Sequence, residues 1–261
     1  MITRLRKLFR RASKAVPFVA PPRQRLMRSL SEFSAIYAIG DVHGCYSELM
    51  RLEQRIVADA ALDPGSKLLV MLGDYIDRGP NSRAVLEHLC RPPPPGFERV
   101  ALCGNHDDSF WRFLQAPADN RSWLDFGGKE TLYSYGIDAS QILRQGGGVE
   151  GLAQAANDKM PGAHRDLLET MPIALSVDSL IFVHAGIRPG IPLENQVDSD
   201  LMWIREPFLS EGSALASVVI HGHSPSTDAT FSKGRIGIDT GAYATGKLTA
   251  LKIAEGRARV L

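Results

Sequence analysis

No apolar stretch in this chain approaches the length of a bilayer-crossing helix, so a helical membrane protein is excluded. Cysteine is nearly absent. Cys45, Cys90 and Cys103 are the three, and their spacing fits neither a zinc ligand set nor a disulfide framework. They read as reduced, buried thiols, which points to a cytoplasmic protein. There is no internal repeat. Acid is missing from the start: Arg4, Arg6, Lys7, Arg10, Arg11, Lys14, Arg23, Arg25 and Arg28 precede the first carboxylate, Glu32. The other 21 cations face 29 acids, so the rest of the chain carries a net −8. Residues 1–32 are therefore expected to be a basic tail, disordered or amphipathic, with the boundary just before Ser34. Ile2, Leu5, Leu8, Phe9, Ala12 and Val16 would share one side of a helix there. Such a segment suits an anionic membrane surface or an acidic partner.

What is present is an ordinary soluble composition, 44% hydrophobic and 23% charged, in 261 residues, enough for one α/β domain with a sizeable core. Short apolar runs recur at Ala35–Ile39, Leu68–Leu72, Val100–Cys103, Leu180–Val183 and Val218–Ile220, and each reads as a buried strand. Helices are expected at about Tyr46–Ala60 and Ser82–Cys90, the second stopped by Pro92–Pro95. Residues 107–171 carry Trp111, Phe113, Leu114, Trp123, Leu124 and Phe126 at mostly helical spacing and read as a helical insertion over the domain. Ser176–Ser179 reads as a hairpin turn. Arg235–Asp239 and Lys247–Ile253 read as a closing hairpin. Early βαβ alternation with later hairpins predicts a mixed sheet or two packed sheets flanked by helices.

Each buried run is followed at once by residues of the types that can bind metal or phosphate: Gly40-Asp41-Val42-His43-Gly44, Gly73-Asp74-Tyr75-Ile76-Asp77-Arg78-Gly79, Gly104-Asn105-His106-Asp107, His184-Ala185-Gly186 and His221-Gly222-His223-Ser224. The carboxyl ends of strands are where α/β sheets place their sites. Five of the seven histidines fall in these stretches; His88 and His164 are left to helix packing. Asp41, His43, Asp74, Asn105, His184 and His223 form an oxygen-and-imidazole donor set without cysteine, which suits Mn, Fe or Zn. Two such ions polarise an electrophile's oxygens and deprotonate a shared water at neutral pH, which describes phosphate ester hydrolysis. Arg78 has the fork geometry for phosphate oxygens. His106, beside a ligand yet free, suits a general acid, with Asp77 raising its proton affinity. His221 reads as a donor behind the ligands or a packed residue, Asp239 as an orienting group or a turn cap, and Arg188 as solvated.

The ordered set GDxHG, GDxxDRG, GNHD, HAG and GHS resembles the calcineurin-like metallophosphoesterases, within them the phosphoprotein phosphatase family and its bacterial serine/threonine phosphatase branch. The likeness spans about residues 36–253. It implies a metallophosphoesterase αββα sandwich, with Asp41 and His43 on a first metal, Asp74 bridging, and Asn105, His184 and His223 on a second. It further implies His106 and Asp77 as an acid dyad, Arg78 as a phosphate clamp, and Arg205, in Trp203-Ile204-Arg205, as a second phosphate-binding arginine. GNHD replaces the GNHE of most eukaryotic members, and HGHSP replaces their RAHQ-type segment; both occur in the bacterial branch. Regulatory-subunit signatures are missing, so no dedicated subunit is inferred.

Three functions compete. The first is a two-metal phosphatase, with Mn favoured, acting on phosphoserine, phosphothreonine or phosphotyrosine in proteins and peptides, with no nucleic acid as partner. The second is a symmetrical diadenosine tetraphosphate hydrolase with the same metal ligands. Asp77 and the Trp-x-Arg segment weigh against it, because those hydrolases resemble GDLVARGP at the second motif. The third, a binding module that has lost its metals, conflicts with the intact ligand set.

Overall fold

The computed structural model describes residues 20–261, so the expected amphipathic segment at residues 2–16 lies outside the described residues. β1 (Arg25–Arg28) is followed by β2 (Ala35–Ile39), α1 (Tyr46–Ala60), β3 (Lys67–Met71), α2 (Ser82–Leu89) and β4 (Phe97–Ala101). A run of helices comes next: α3 (Asn105–Gln115), a 3₁₀ stretch at Arg121–Phe126, α4 (Gly128–Ser134), α5 (Ala139–Arg144), α6 (Gly148–Lys159) and α7 (Gly162–Thr170). β5 (Ala174–Val177), β6 (Leu180–Val183), α8 (Asp198–Trp203), α9 (Phe208–Glu211) and β7 (Val218–His221) follow. The chain ends with β8 (Thr230–Ser232), β9 (Arg235–Gly237), α10 (Ala242–Thr245), β10 (Ala250–Ala254) and β11 (Arg257–Val260).

Two mixed sheets result, ordered β1-β5-β6-β7-β9-β8 and β11-β10-β2-β3-β4. Ile36, Ala38, Leu68, Val70 and Leu251 of one sheet pack on Leu175, Val177, Phe182, Ile220 and Ile236 of the other. The opposite faces of β2 and β3, through Tyr37, Ile39, Leu69 and Met71, are covered by Leu49, Leu52 and Ile56 of α1 and Val85 and Leu86 of α2. Burial on both faces is why β2 and β3 read as unbroken apolar runs rather than alternating ones. The αββα sandwich implied by the sequence is the fold. β2, β3 and β4 run parallel, as do β6 and β7, so the ligand-bearing loops leave the same end of each sheet. Among the described residues no helix is long and apolar enough to cross a membrane.

Two sequence expectations need correction. Arg235–Asp239 and Lys247–Ile253 do not form a hairpin. β9 pairs with β7 and β8 in one sheet, whereas β10 pairs with β2 and β11 in the other. The α10 turn, between the left-handed residues Gly241 (φ 63°) and Gly246 (φ 69°), carries the chain across. The hairpin that closes the fold is β10–β11. The folded body also begins before Ser34. β1 pairs in parallel with β5, and three arginines assigned to the tail are fastened to it. Arg25 pairs with Asp198 at 2.8 Å and Arg28 with Glu98 at 2.8 Å. The Arg23 side chain is buried; it pairs with Asp108 of α3 at 3.0 Å and donates to the carbonyls of Leu168 and Met171 at 3.0 and 3.1 Å.

Removing one partner of a buried carboxylate costs it a charge-assisted hydrogen bond. Arg23→Ala leaves Asp108 with Arg112 alone, at 2.5 Å. The expected loss is about 2 kcal/mol, seen as a lower denaturant midpoint at unchanged slope. An unmoved midpoint would show that this strap contributes nothing to stability.

Candidate metal centre

The loops after β2, β3, β4, β6 and β7 meet at one buried carboxylate. Asp74 Oδ2 lies 3.5 Å from His43 Nε2, 3.4 Å from His184 Nε2 and 3.9 Å from His106 Nε2. Two ligand clusters share it: His43, Asp74 and His106, and Asp74, His184 and His223. Asn105 Oδ1 completes the second, 2.8 Å from His184 Nε2 and 2.9 Å from His223 Nδ1. Asp41 is buried beside them and accepts the His223 backbone N–H with both oxygens, at 3.0 and 3.2 Å. The structure thus gathers all six expected ligands, and adds His106 to the first cluster by proximity.

Local backbone geometry makes this meeting possible. Asp74 sits at φ 53° after Gly73 at φ 103°, which turns the chain sharply out of β3. A Cβ on Gly104 would lie 2.1 Å from Asp74 Oδ1, so glycine is required where the β4 loop crosses that carboxylate. Asp107, given no role in the motif pattern, holds the two loops together. Its carboxylate accepts the backbone N–H groups of Asp74 (2.8 Å), Tyr75 (3.1 Å) and Gly104 (3.0 Å). Burial, with Asp74 next to it, pushes the Asp107 carboxyl up to about 7.

The imidazoles are set as ligands. His43 Nδ1–H donates to Ile76 O at 2.8 Å and His184 Nδ1–H to Leu72 O at 2.9 Å, leaving each Nε2 lone pair facing Asp74. Burial lowers His43 and His223 to about 3, so both rings stay neutral, as metal ligation requires. His223 Nε2 is buried with no hydrogen-bond partner. The Asp41 carboxyl is raised well above its ordinary range by burial and by Asp239 and Asp74. Crowded buried carboxylates, neutral imidazoles and an orphaned ring nitrogen make a site lacking cationic charge, and divalent metal ions fit it.

Around the ligands, Arg78 places Nη1 3.2 Å from His43 Nε2 and Nη2 3.0 Å from His106 Nε2. Tyr243 braces it, with the guanidinium 4.7 Å from the ring centre. His106 Nδ1–H donates to Asp77 Oδ2 at 2.7 Å. Trp123 Nε1 donates to the same oxygen at 2.9 Å, and Thr131 Oγ1 donates to Oδ1 at 2.6 Å. The helical insertion therefore fixes the dyad. Trp123 and Thr131 were not legible as such, because helical spacing alone does not say what an indole N–H will meet. Burial disfavours a proton on His106, but Asp74 and Asp77 outweigh it and raise its affinity.

The remaining residues divide plainly. Arg205 lies exposed at the rim, close enough that its charge disfavours a proton on His223. His221 is packed, its ring edge-on to Phe208 at 5.0 Å and Nδ1–H donating to Gly222 O at 3.0 Å. Asp239 caps a turn through Gly241 N–H at 2.9 Å. Arg188 pairs with Asp200 at the surface, at 2.9 Å. His88 meets Glu53 at 3.0 Å, and His164 meets Tyr135 Oη at 2.8 Å. Burial raises Cys103 well above its ordinary value and Cys45 to about 11, so neither is a reactive thiolate.

A calcineurin-like phosphoesterase family model matches residues 34–247, and the chain belongs to that family. Two relatives are asymmetrical bis(5'-nucleosyl)-tetraphosphatases named PrpE. The one from Anoxybacillus flavithermus is 25% identical over 240 residues, covering 83% of this chain and 89% of its own. The one from Bacillus cereus is 26% identical over 238 residues, with the same coverage. Among solved structures, a putative diadenosine tetraphosphatase superposes with TM-score 0.63 at 18% identity, covering 92% of this chain and 97% of its own. A Saccharomyces cerevisiae serine/threonine phosphatase with similarity to human phosphatase PP5 superposes with TM-score 0.56 at 17% identity, covering 91% and 78%. At these identities the structural likenesses establish the fold.

Asp107→Ala leaves three buried N–H groups without an acceptor, each costing about 1–3 kcal/mol. The variant should melt at lower temperature and lose metal more readily to a chelator than the wild type. Equal chelator sensitivity would show that Asp107 does not hold the ligand loops.

Proposed function

We propose that this protein is a metal-dependent hydrolase of dinucleoside tetraphosphates. The observation that carries the substrate is the near end-to-end likeness to bis(5'-nucleosyl)-tetraphosphatases, 83% of this chain against 89% of theirs. The two clusters sharing Asp74 carry the reaction type. Asp41, His43 and Asp74 would hold one ion and Asp74, Asn105, His184 and His223 the other, with Mn suited to the mixed donor set. Bound there, the ions supply Lewis acidity and an activated water at neutral pH.

The chain's own residues supply the rest. Arg78 lies between His43 and His106 and would grip the oxygens of the phosphoryl group under attack. In the free site its Nη2 donates to His106 Nε2. Moving to phosphate would release that nitrogen, which can then take up a proton and pass it to the departing group. Asp77, fixed by Trp123 and Thr131, holds the ring at the correct tilt. Water adds across one phosphoanhydride bond. By the relatives' names, that bond is an outer one, giving a nucleoside triphosphate and a nucleoside monophosphate instead of the two diphosphates of symmetrical cleavage.

A second reading, a phosphoprotein phosphatase, is favoured by the Asp77–His106 dyad. A serine or threonine alkoxide is a poor leaving group and needs a proton donor, whereas a nucleotide leaves as a stable anion. Side-by-side turnover of diadenosine tetraphosphate and a phosphoserine peptide, with added Mn, separates the two. The tetraphosphate should be the better substrate by kcat/KM, with ATP and AMP as products. His106→Asn should slow it less than the 10²–10⁴-fold that general acid catalysis typically contributes, shown in full by the peptide. Peptide turnover exceeding tetraphosphate turnover would reverse the assignment.

A further inference from the structure

The mouth of the metal centre carries aromatic surface that hydrolysis does not require. Trp203, the last residue of α8, is 43% exposed and Phe126 is 40% exposed. Their ring centres are 6.3 Å apart, and each meets a histidine of the site. Trp203 lies 6.1 Å from His223 and Phe126 lies 6.2 Å from His106, in edge-on arrangements. Isolated exposed apolar side chains are common on protein surfaces. Two in mutual contact, both touching the rim of a charged site, form a patch with a place in recognition. Arg205 stands two residues from Trp203, exposed, with no side-chain hydrogen bond or ion pair among the described residues.

We propose that Trp203, with Phe126 beside it, is the seat for the nucleobase of the nucleotide whose α-phosphate is attacked, next to the Arg205 that the family resemblance already assigns to phosphate. This rests on the dinucleoside tetraphosphate reading. Cleavage at an outer anhydride leaves a monophosphate whose base is tethered to the reacting phosphorus by one ribose. That base must therefore settle close to the metals. An indole against His223 meets the requirement of reach, and its π-face accepts any base without reading its edges, so tolerance among nucleosides follows.

Trp111 and Trp123 are 5% and 1% exposed, so Trp203 is the solvent-facing fluorophore of the three tryptophans. AMP titrated into the full-length Mn-loaded protein should quench the long-wavelength emission saturably. Ribose 5-phosphate, which has the same phosphate and no base, should not. Trp203→Phe should abolish the quench. Trp203→Ala should raise KM for diadenosine tetraphosphate roughly 5- to 100-fold, with Trp203→Phe recovering most of the loss. Equal quenching by AMP and ribose 5-phosphate, or a KM unmoved by Trp203→Ala, would overturn the base seat while leaving the tetraphosphate reading intact. Base-dependent quenching in a protein that fails to turn over the tetraphosphate would keep the nucleotide seat and remove the substrate assigned above.

Discussion

The structure depends on one buried carboxylate serving two clusters of ligands. Burial alone would raise the Asp74 carboxyl, but His184, His106 and His43 surround it and hold it well below the usual carboxylate range. It must be reached from both sheets at once, since His43, Asn105 and His106 leave one sheet while His184 and His223 leave the other. The sheet packing and the parallel strands meet that requirement. So do the left-handed turn at Asp74 and the missing Cβ at Gly104. Asp107, capturing three N–H groups, and the His106 N–H bond to Asp74 Oδ1 at 3.0 Å anchor the β3 and β4 loops to each other.

The helical insertion is joined to this centre chemically as well as by packing. Trp123 stacks on Phe110 of α3 at 4.5 Å while its indole N–H reaches Asp77, and Thr131 holds the second Asp77 oxygen. The same segment ends its 3₁₀ stretch with Phe126 at the rim. One insertion thus supports the Asp77–His106 pair and lines the rim above it.

Much of this was legible in the sequence because each ligand follows a short, fully buried strand, and burial leaves an unmistakable apolar run before the motif. What was not legible depends on long-range pairing. β9 and β10 have the alternation of strands, and nothing local states that they join different sheets. Arg23, Arg25 and Arg28 resemble the charges of a tail because their partners Asp108, Asp198 and Glu98 lie far along the chain. Asp107 was concealed because it binds backbone, which carries no residue signature. Substrate was the hardest to read, because the metal ligands serve an ester or an anhydride equally.

The shared role of Asp74 is tested most directly by metal stoichiometry. Wild-type protein loaded with Mn, freed of loose metal on a desalting column and analysed by plasma mass spectrometry should retain two ions per chain. Asp74→Asn, verified as folded by circular dichroism, should retain one or none, because both clusters share that carboxylate. Two ions held by that variant would contradict the account, placing the metals on separate ligand sets and leaving Asp74 without its central role.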